Sequence, residues 1–280
     1  MSTGVNVAGK ALGELEMIGF VTGSLFQVSA GNISRLRDAF EKNRVFYTDV
    51  SDLYTAVKKA ARMRGQDVGA DPGKVRKAVS VAFTSNTHLY GSVNFDLMRA
   101  FVEHMQSTDR DFIVIGRTGQ AYMRARANTK EYASVAFALD EPSDDEMGTF
   151  LASVAHYEDV YIFYPAFVNV FRQDIRILDL THTQDADSSS IATGPEYIFE
   201  PELSSMIDFF ETRIRRLLFR RAMLESQLAR TASRLIFMHT AEEKASTALT
   251  RAKRDARRYD DLMNDMRLLE AFSFVQKWKR

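Results

Sequence analysis

Cysteine is absent from the 280 residues, so neither a disulfide framework nor a thiolate zinc site is available. Proline and glycine are scarce and unevenly placed. No proline lies between Leu12 and Arg64, and neither breaker lies between Glu202 and Arg280. An excess of one charge sign is also missing. The 37 basic residues balance 37 acidic ones, which removes any whole-molecule pull toward nucleic acid or an anionic membrane. No apolar run approaches the roughly 20 residues that span a bilayer, and the longest, such as Val160–Tyr164, are strand-sized. The first residues lack the charged, apolar and small-residue regions of a signal peptide. Membrane association is therefore expected only through partners.

The tools of catalysis are missing as well. There is no G-x-x-x-x-G-K-[ST] phosphate loop, and Gly116-Arg117-Thr118-Gly119 lacks the third glycine of a dinucleotide fingerprint. The five histidines form no H-E-x-x-H pair and lie far apart, which fits ordinary surface or core histidines rather than metal ligands. No G-x-S-x-G elbow occurs. No catalytic residue, cofactor site or metal site is assigned. The acids from Asp140 to Glu146 read as a solvated loop and helix start, with Ser143 and Glu146 spaced as a capping box.

What is present is two helical ends around a mixed middle. Leu217, Leu224, Leu228 and Leu235 recur at steps of seven, four and seven, and Met238, Ala241, Ala245, Ala248, Ala252, Tyr259, Leu262, Met266 and Leu269 continue that face. Pro201 and Glu202 suit a first helical turn. A helix of this extent would be roughly 105 Å long at about 1.5 Å per residue, and needs a helical partner along its face. Leu12, Leu15, Ile18, Leu25, Val28, Leu36, Phe40 and Phe46 offer that second stripe, despite Gly19, Gly23 and Gly31.

The middle shows strand-like runs at Ala78–Phe83, Phe112–Ile115, Val160–Tyr164 and Arg176–Leu180. Helical patterns fall between them at Phe95–Met105 and Ser143–His156. Such alternation predicts an α/β layer with parallel strands. Gln184–Gly194 reads as a mobile loop. The expected divisions are 1–64 for an N-terminal coiled-coil helix, 65–200 for a Rossmann-like α/β domain and 201–280 for a C-terminal coiled-coil helix. From Glu211 to Arg280, seventeen Lys and Arg face nine Asp and Glu, with clusters at Arg213–Arg221 and Arg251–Arg258. These read as a solvated helix face with intrahelical ion pairs, or as a positive shaft against negative partners. A nucleic-acid adaptor would interleave aromatics with the basic clusters, and here they are not interleaved.

Several stretches together resemble the gamma subunit of F-type ATP synthases. Thr84-Ser85-Asn86-Thr87-His88-Leu89-Tyr90-Gly91-Ser92-Val93-Asn94 is similar to the family's T-S-D-[RK]-G-L-C-G-G-[LF]-N, matching at Thr84, Ser85, Leu89, Gly91 and Asn94. Ile115-Gly116-Arg117-Thr118-Gly119-Gln120-Ala121-Tyr122 is similar to I-G-[RK]-K-G-x-x-[YF], and Tyr161, Phe167, Asn169 and Gln173 fit a family strand pair. Tyr197-Ile198-Phe199-Glu200-Pro201, Leu224-Glu225-Ser226, and Ala229-Arg230-Thr231-Ala232-Ser233-Arg234 with Met238 carry the most specific likeness. Val21-Thr22, Val28-Ser29-Ala30 and Arg35 add a weaker one. The departures lie at Gly23, Phe26 and Asn32, where the family has lysines, and beyond Ala245, ending in Phe274–Arg280.

The resemblance implies a non-catalytic rotor. The terminal helices would form an antiparallel coiled coil inside an alpha/beta ring, with Leu25, Val28, Leu224, Leu228 and Leu235 in its core. The α/β domain would be a foot seated on epsilon and the membrane c-ring, with delta in the same complex. Rotor–stator contacts are then expected at Arg230 and Arg234, and, from local positive charge alone, at Arg254, Arg257 and Arg258; foot contacts are expected at Asn94, Arg117, Gly119 and Tyr122. Gly91 and Gly119 read equally well as plain turns. The location implied is the cytoplasmic face of a bacterial inner membrane, or the matrix face in a mitochondrion. The departures fit equally a gamma-like subunit of a second ATPase-like machine. An α/β enzyme or adaptor with a coiled-coil arm is the rival of a different class.

Overall fold

The computed structural model describes residues 2–63, 75–126, 130–181 and 203–278. The expected loop Gln184–Gly194, the motif Tyr197–Pro201 and the expected divisions at 64/65 and 200/201 lie outside the described residues. By compactness the chain forms two units. One comprises Met1–Ala30 with Leu235–Arg280, the other Gly31–Arg234. Two long helices, α1 (Ser2–Met63) and α5 (Leu203–Trp278), contribute to both units.

The larger unit is built on a five-stranded sheet of order β3-β2-β1-β4-β5. Its strands are β1 (Val75–Phe83), β2 (Asp111–Ile115), β3 (Ala133–Val135), β4 (Tyr157–Phe167) and β5 (Gln173–Asp179). The first four are mutually parallel, and β5 returns antiparallel from β4. Central β1 alternates cleanly. Val79, Val81 and Phe83 face one core, while Ala82 faces the other.

On the Ala82 side, α2 (Val93–Ser107) packs Leu97, Met98, Phe101, Val102 and Met105, and α3 (Arg117–Arg124) adds Met123. On the other side, α4 (Asp144–Val154) inserts Met147, Phe150 and Val154, joined by Val50 and Tyr54 of α1 and by Ile214–Met223 of α5. This is helices on both faces of a mostly parallel sheet. The capping box forms as the sequence predicts. Glu146 N–H donates to Ser143 Oγ at 3.2 Å, and Ser143 N–H to Glu146 Oε2 at 2.9 Å.

In the smaller unit the two helices run antiparallel, since rising numbers meet falling ones. Lys253 pairs with Glu16 at 2.9 Å, Glu242 lies over Gly23, and the His239 ring lies 5.4 Å from Phe26. The seam differs from the expected apolar stripe. Val28 is 57% exposed, so its assignment to the coiled-coil core is corrected. Among the described side chains of α1, the buried Thr22, Ser29, Asn43, Val50 and Val57 share one seven-residue phase, with Ser51 and Tyr54 buried beside it where the helix meets the sheet unit. Small and polar side chains hold the early part of that phase, so a search for leucines selects the wrong face. Leu224 and Leu228 of α5 are buried, while Leu235 of α5 and Leu25 of α1 are half-buried. Tyr259, Leu262, Met266 and Leu269, expected on the buried stripe, are exposed. They lie beyond the stretch of α5 that meets Glu16–Phe26. Among the described residues no helix is long and apolar enough to cross a membrane.

Candidate functional site at the strand ends

The loops that leave the carboxyl ends of β1 and β3 meet one stretch of α5, and the β2 loop packs against the β1 loop beside them, all within the larger unit. The β1 loop begins at Thr84, whose Oγ1 donates to Ile115 O at 2.6 Å and accepts from Gly119 N–H at 3.0 Å. Closeness there is absolute. A Cβ on Gly116, whose φ is +96°, would stand 2.6 Å from Thr84 O, and one on Gly119 would stand 2.7 Å from Thr84 Oγ1 and from Val114 Cγ1. Both positions thus admit only glycine without a shift of backbone or buried side chain. Gly119 is not a turn; it lies inside α3. This helix and β3 were not anticipated from the sequence, because each is short and begins at a residue that reads as a breaker or surface position.

Ser85 and Asn86 knit the loops together. Thr118 Oγ1 donates to Ser85 O at 2.7 Å, and Asn94 Nδ2 to Ser85 Oγ at 2.8 Å. Asn86 Nδ2 donates to the carbonyls of Phe137 at 2.8 Å and Leu139 at 3.1 Å, while its Oδ1 accepts from Arg117 N–H at 3.2 Å. Of the four expected foot contacts, Asn94 and Gly119 are therefore built into the fold. Tyr122 is half-buried with its ring 5.4 Å from Phe95, and only the side chain of Arg117 is exposed.

Asp140 is the acceptor at the centre. It takes hydrogen bonds from Asn86 N–H, from Thr87 Oγ1 at 2.7 Å and from the Tyr90 hydroxyl at 2.9 Å. Burial works against its charge most strongly, yet these donors and the Arg230 cation outweigh it and hold its pKa below the ordinary value. The reading of Asp140 as solvated is corrected: the carboxylate is half-buried and fully engaged.

Arg230 was expected on a partner-facing surface, and the structure corrects that too. It is 1% exposed, with its guanidinium 5.2 Å from the Phe83 ring centroid and 5.9 Å from that of Tyr90. Burial lowers its pKa, and the Asp140 carboxylate opposes the shift. Arg234 stacks 3.8 Å from the Tyr90 ring centroid and points its donors at the carbonyls of Leu89 and His88, at 3.3 and 3.4 Å. Ser233 Oγ donates to Tyr90 O at 2.9 Å, and Gln227 Nε2 to Asp140 O at 3.3 Å.

One turn earlier on α5, Glu225 is 5% exposed and accepts from the Tyr164 hydroxyl of β4 at 3.0 Å, with Arg176 of β5 at 3.5 Å. Burial, then the Glu225 charge and hydrogen bond, push the Tyr164 phenol well above its ordinary pKa. Glu225 stands in the Leu224–Ser226 motif, and the sequence alone assigns it no role. The available signal was an acid inside the run Ala222-Met223-Leu224-Glu225-Ser226, on a face otherwise apolar. Arg254, Arg257 and Arg258 are exposed in the smaller unit. No cluster of metal-ligating side chains occurs among the described residues. The strand-end network has no nucleophile paired with a base; what it does is bind α5 to the sheet through charge, hydrogen bonds and ring faces.

The profile of the ATP synthase family matches residues 11–259. The chain is similar to the ATP synthase gamma chain of Geotalea uraniireducens, 24% identical over 239 residues that cover 81% of this chain and 82% of that one. It is similar to that of Nitrosomonas eutropha at 22% over 247 residues, covering 82% and 84%. Its fold resembles a chain in the central stalk/c-ring structure of the Tetrahymena thermophila mitochondrial ATP synthase, with a TM-score of 0.57 at 19% identity, covering 79% of this chain and 99% of that one. It also resembles a chain in the OSCP/F1/c-ring structure of the Euglena gracilis mitochondrial ATP synthase, with a TM-score of 0.55 at 14% identity, covering 88% and 94%.

Proposed function

The chain belongs to the ATP synthase gamma family, and on that premise we propose that it is the central-stalk rotor subunit of an F-type ATP synthase. It couples rotation of a membrane c-ring to nucleotide chemistry in an alpha/beta head, and it is not itself the catalyst. Its partners are alpha, beta, epsilon and delta subunits and the c-ring, and it binds no nucleic acid. It lies on a membrane only through that complex, at the cytoplasmic face of a bacterial inner membrane or the matrix face of a mitochondrion.

The observation that carries the reading is the set of ties between α5 and the sheet. Glu225, Gln227, Arg230, Ser233 and Arg234 each engage the strand or loops beside them. A torque applied to the sheet therefore passes into α5 without a flexible joint. Arg254, Arg257 and Arg258, exposed on the same helix, are the proposed stator contacts, and Arg117 the proposed contact toward epsilon or the c-ring. Each such exposed pair contributes about 0–1 kcal/mol, so shape and many small contacts dominate.

A second reading, a gamma-like subunit of a distinct ATPase-like complex, is favoured by Gly23, Phe26 and Asn32 standing where the family has lysines. Affinity purification of the tagged chain from native membranes in mild detergent, with mass spectrometry of stoichiometric partners, separates the two. Alpha and beta subunits of the main synthase together with c support the first reading. A separate set of alpha- and beta-like chains supports the second, and an intact complex lacking either kind refutes both.

A further inference from the structure

Away from the strand ends, α4 and the first turns of α5 leave between them an open groove of about 390 Å³. Gly148, Ala152 and Ala155 form its floor, and Phe209, Arg213 and Arg216 its wall. Phe209 is 65% exposed, an apolar ring left uncovered beside the floor. Arg213 lies 5.6 Å from the Phe46 ring centroid. Arg216 reaches Asp144 O at 3.4 Å and passes so close to Gly148 that a Cβ there would stand 3.1 Å from its Nη2.

The nearby acids are already engaged. Asp144 pairs with Arg220 at 3.6 Å and Glu211 with Arg215 at 3.5 Å. Among the described residues, Arg213 and Arg216 thus have no carboxylate. The groove combines an apolar floor of small side chains, an exposed ring and two cations at the rim that face no carboxylate among the described residues.

We propose that this groove is a docking site for an acidic amphipathic helix of a partner protein. The small floor residues let a helix approach to an interaxial distance of about 8–10 Å. Its apolar face covers Phe209 and Ala152, and its carboxylates meet the guanidinium forks of Arg213 and Arg216. An extended strand is disfavoured, because both walls are helices whose backbone groups are spent internally. The proposal goes beyond the rotor reading and does not depend on it.

The test uses the chain's lack of cysteine. Ala152→Cys gives the full-length protein one thiol in the groove, to which a photoactivatable cross-linker is attached in native membranes holding the assembled complex. The adduct is mapped to a peptide by mass spectrometry. The expected adduct lies on one helical segment with acids spaced three or four residues apart. Its yield falls at least about tenfold with Arg213→Glu and Arg216→Glu together, and returns when the partner's acids are changed to lysine. Arg213→Gln with Arg216→Gln serves if the charge-reversed chain does not fold. An adduct on phospholipid, on a basic or extended segment, or one indifferent to the arginine changes overturns the proposal, as does the absence of any protein adduct. Alpha and beta subunits recovered in the same preparation report separately on the rotor reading, so the two can fail independently.

Discussion

Replacing Tyr164 by phenylalanine removes one oxygen and leaves the ring in place. The lost hydroxyl stands 3.0 Å from Glu225 Oε2, and the other donor to that carboxylate, Arg176, is at 3.5 Å on a side chain 55% exposed. Glu225 is then a buried carboxylate with one weak partner. A hydrogen bond to a charged group contributes about 1.5–3 kcal/mol, so a loss of about 2 kcal/mol follows. At about 2–4 °C per kcal/mol for a chain of this size, the melting temperature of the isolated protein falls by about 4–8 °C.

The asymmetry between breaking and removing a buried pair supplies the control. Glu225→Met in the Tyr164→Phe background takes away the stranded charge and restores most of the loss. Alkaline pH gives a second readout. The folded phenol has its pKa raised above the unfolded value of about 10. Its stabilisation is present below pH ~10 and lost as pH rises, because the unfolded chain releases a proton that the folded chain keeps. That part of the alkaline decline disappears in Tyr164→Phe. A melting temperature within about 1 °C of the parent, or a double variant less stable than Tyr164→Phe alone, would refute the assignment of Glu225 to Tyr164.

Asp140→Asn lowers stability at neutral pH by about 1–3 kcal/mol, since the buried Arg230 keeps its charge without a counter-charge. Because the Asp140 pKa is held below its unfolded value of about 3.9, its contribution is present above that pH and lost as pH falls through the folded pKa. Acid titrations of parent and variant should therefore converge as pH falls through the folded pKa, below the ordinary carboxylate range. Gly119→Ala, with its Cβ 2.7 Å from two buried side-chain atoms, costs about 1–3 kcal/mol, whereas Gly19→Ala, with nothing within 4 Å, gains up to about 1 kcal/mol; paired denaturant titrations read both. Reversing Arg254, Arg257 and Arg258 to glutamate leaves the melting temperature of the isolated chain within about 2 °C. It slows ATP-driven rotation of the reconstituted complex at low salt, and unchanged rotation would remove those side chains from the contact surface.

Much of the fold could be read in the residues, and the reasons differ by element. β1, β2 and β4 are apolar runs buried on both faces, and α2 repeats Leu97, Phe101 and Met105 at four-residue steps, so pattern alone finds them. The Ser143–Glu146 cap is local chemistry and forms as expected. The seam of α1 was hidden because Thr22, Ser29 and Asn43 occupy it, residues that no apolar pattern selects. The strand-end site was half legible. Motif likeness drew attention to Thr84–Asn94 and Gly116–Tyr122, but the partners of those residues, Asp140 and Arg230, lie 54 and 144 residues from Asn86. A charge reads as solvated until the fold supplies its counter-charge. Arg230 and Asp140, each without a near neighbour of opposite charge that the sequence marks as its partner, therefore look like surface residues until the fold brings them together.

The ties along α5 also set how far that helix can turn about its own axis. Side-chain ends ride at a radius of about 5–6 Å on a helix about 10–12 Å across, so a twist of about 30° would carry them about 3 Å sideways. The contact from Tyr164 to Glu225 at 3.0 Å and that from Ser233 to Tyr90 at 2.9 Å would both open beyond hydrogen-bond reach. Angular play is thereby held well short of that twist. A single residue inserted between Glu225 and Arg230 would rotate everything after it by about 100°, bringing a different face of α5 against Tyr90 and Asp140. The helix is thus indexed in angle as well as in position, and this stretch tolerates substitution far better than any change of length.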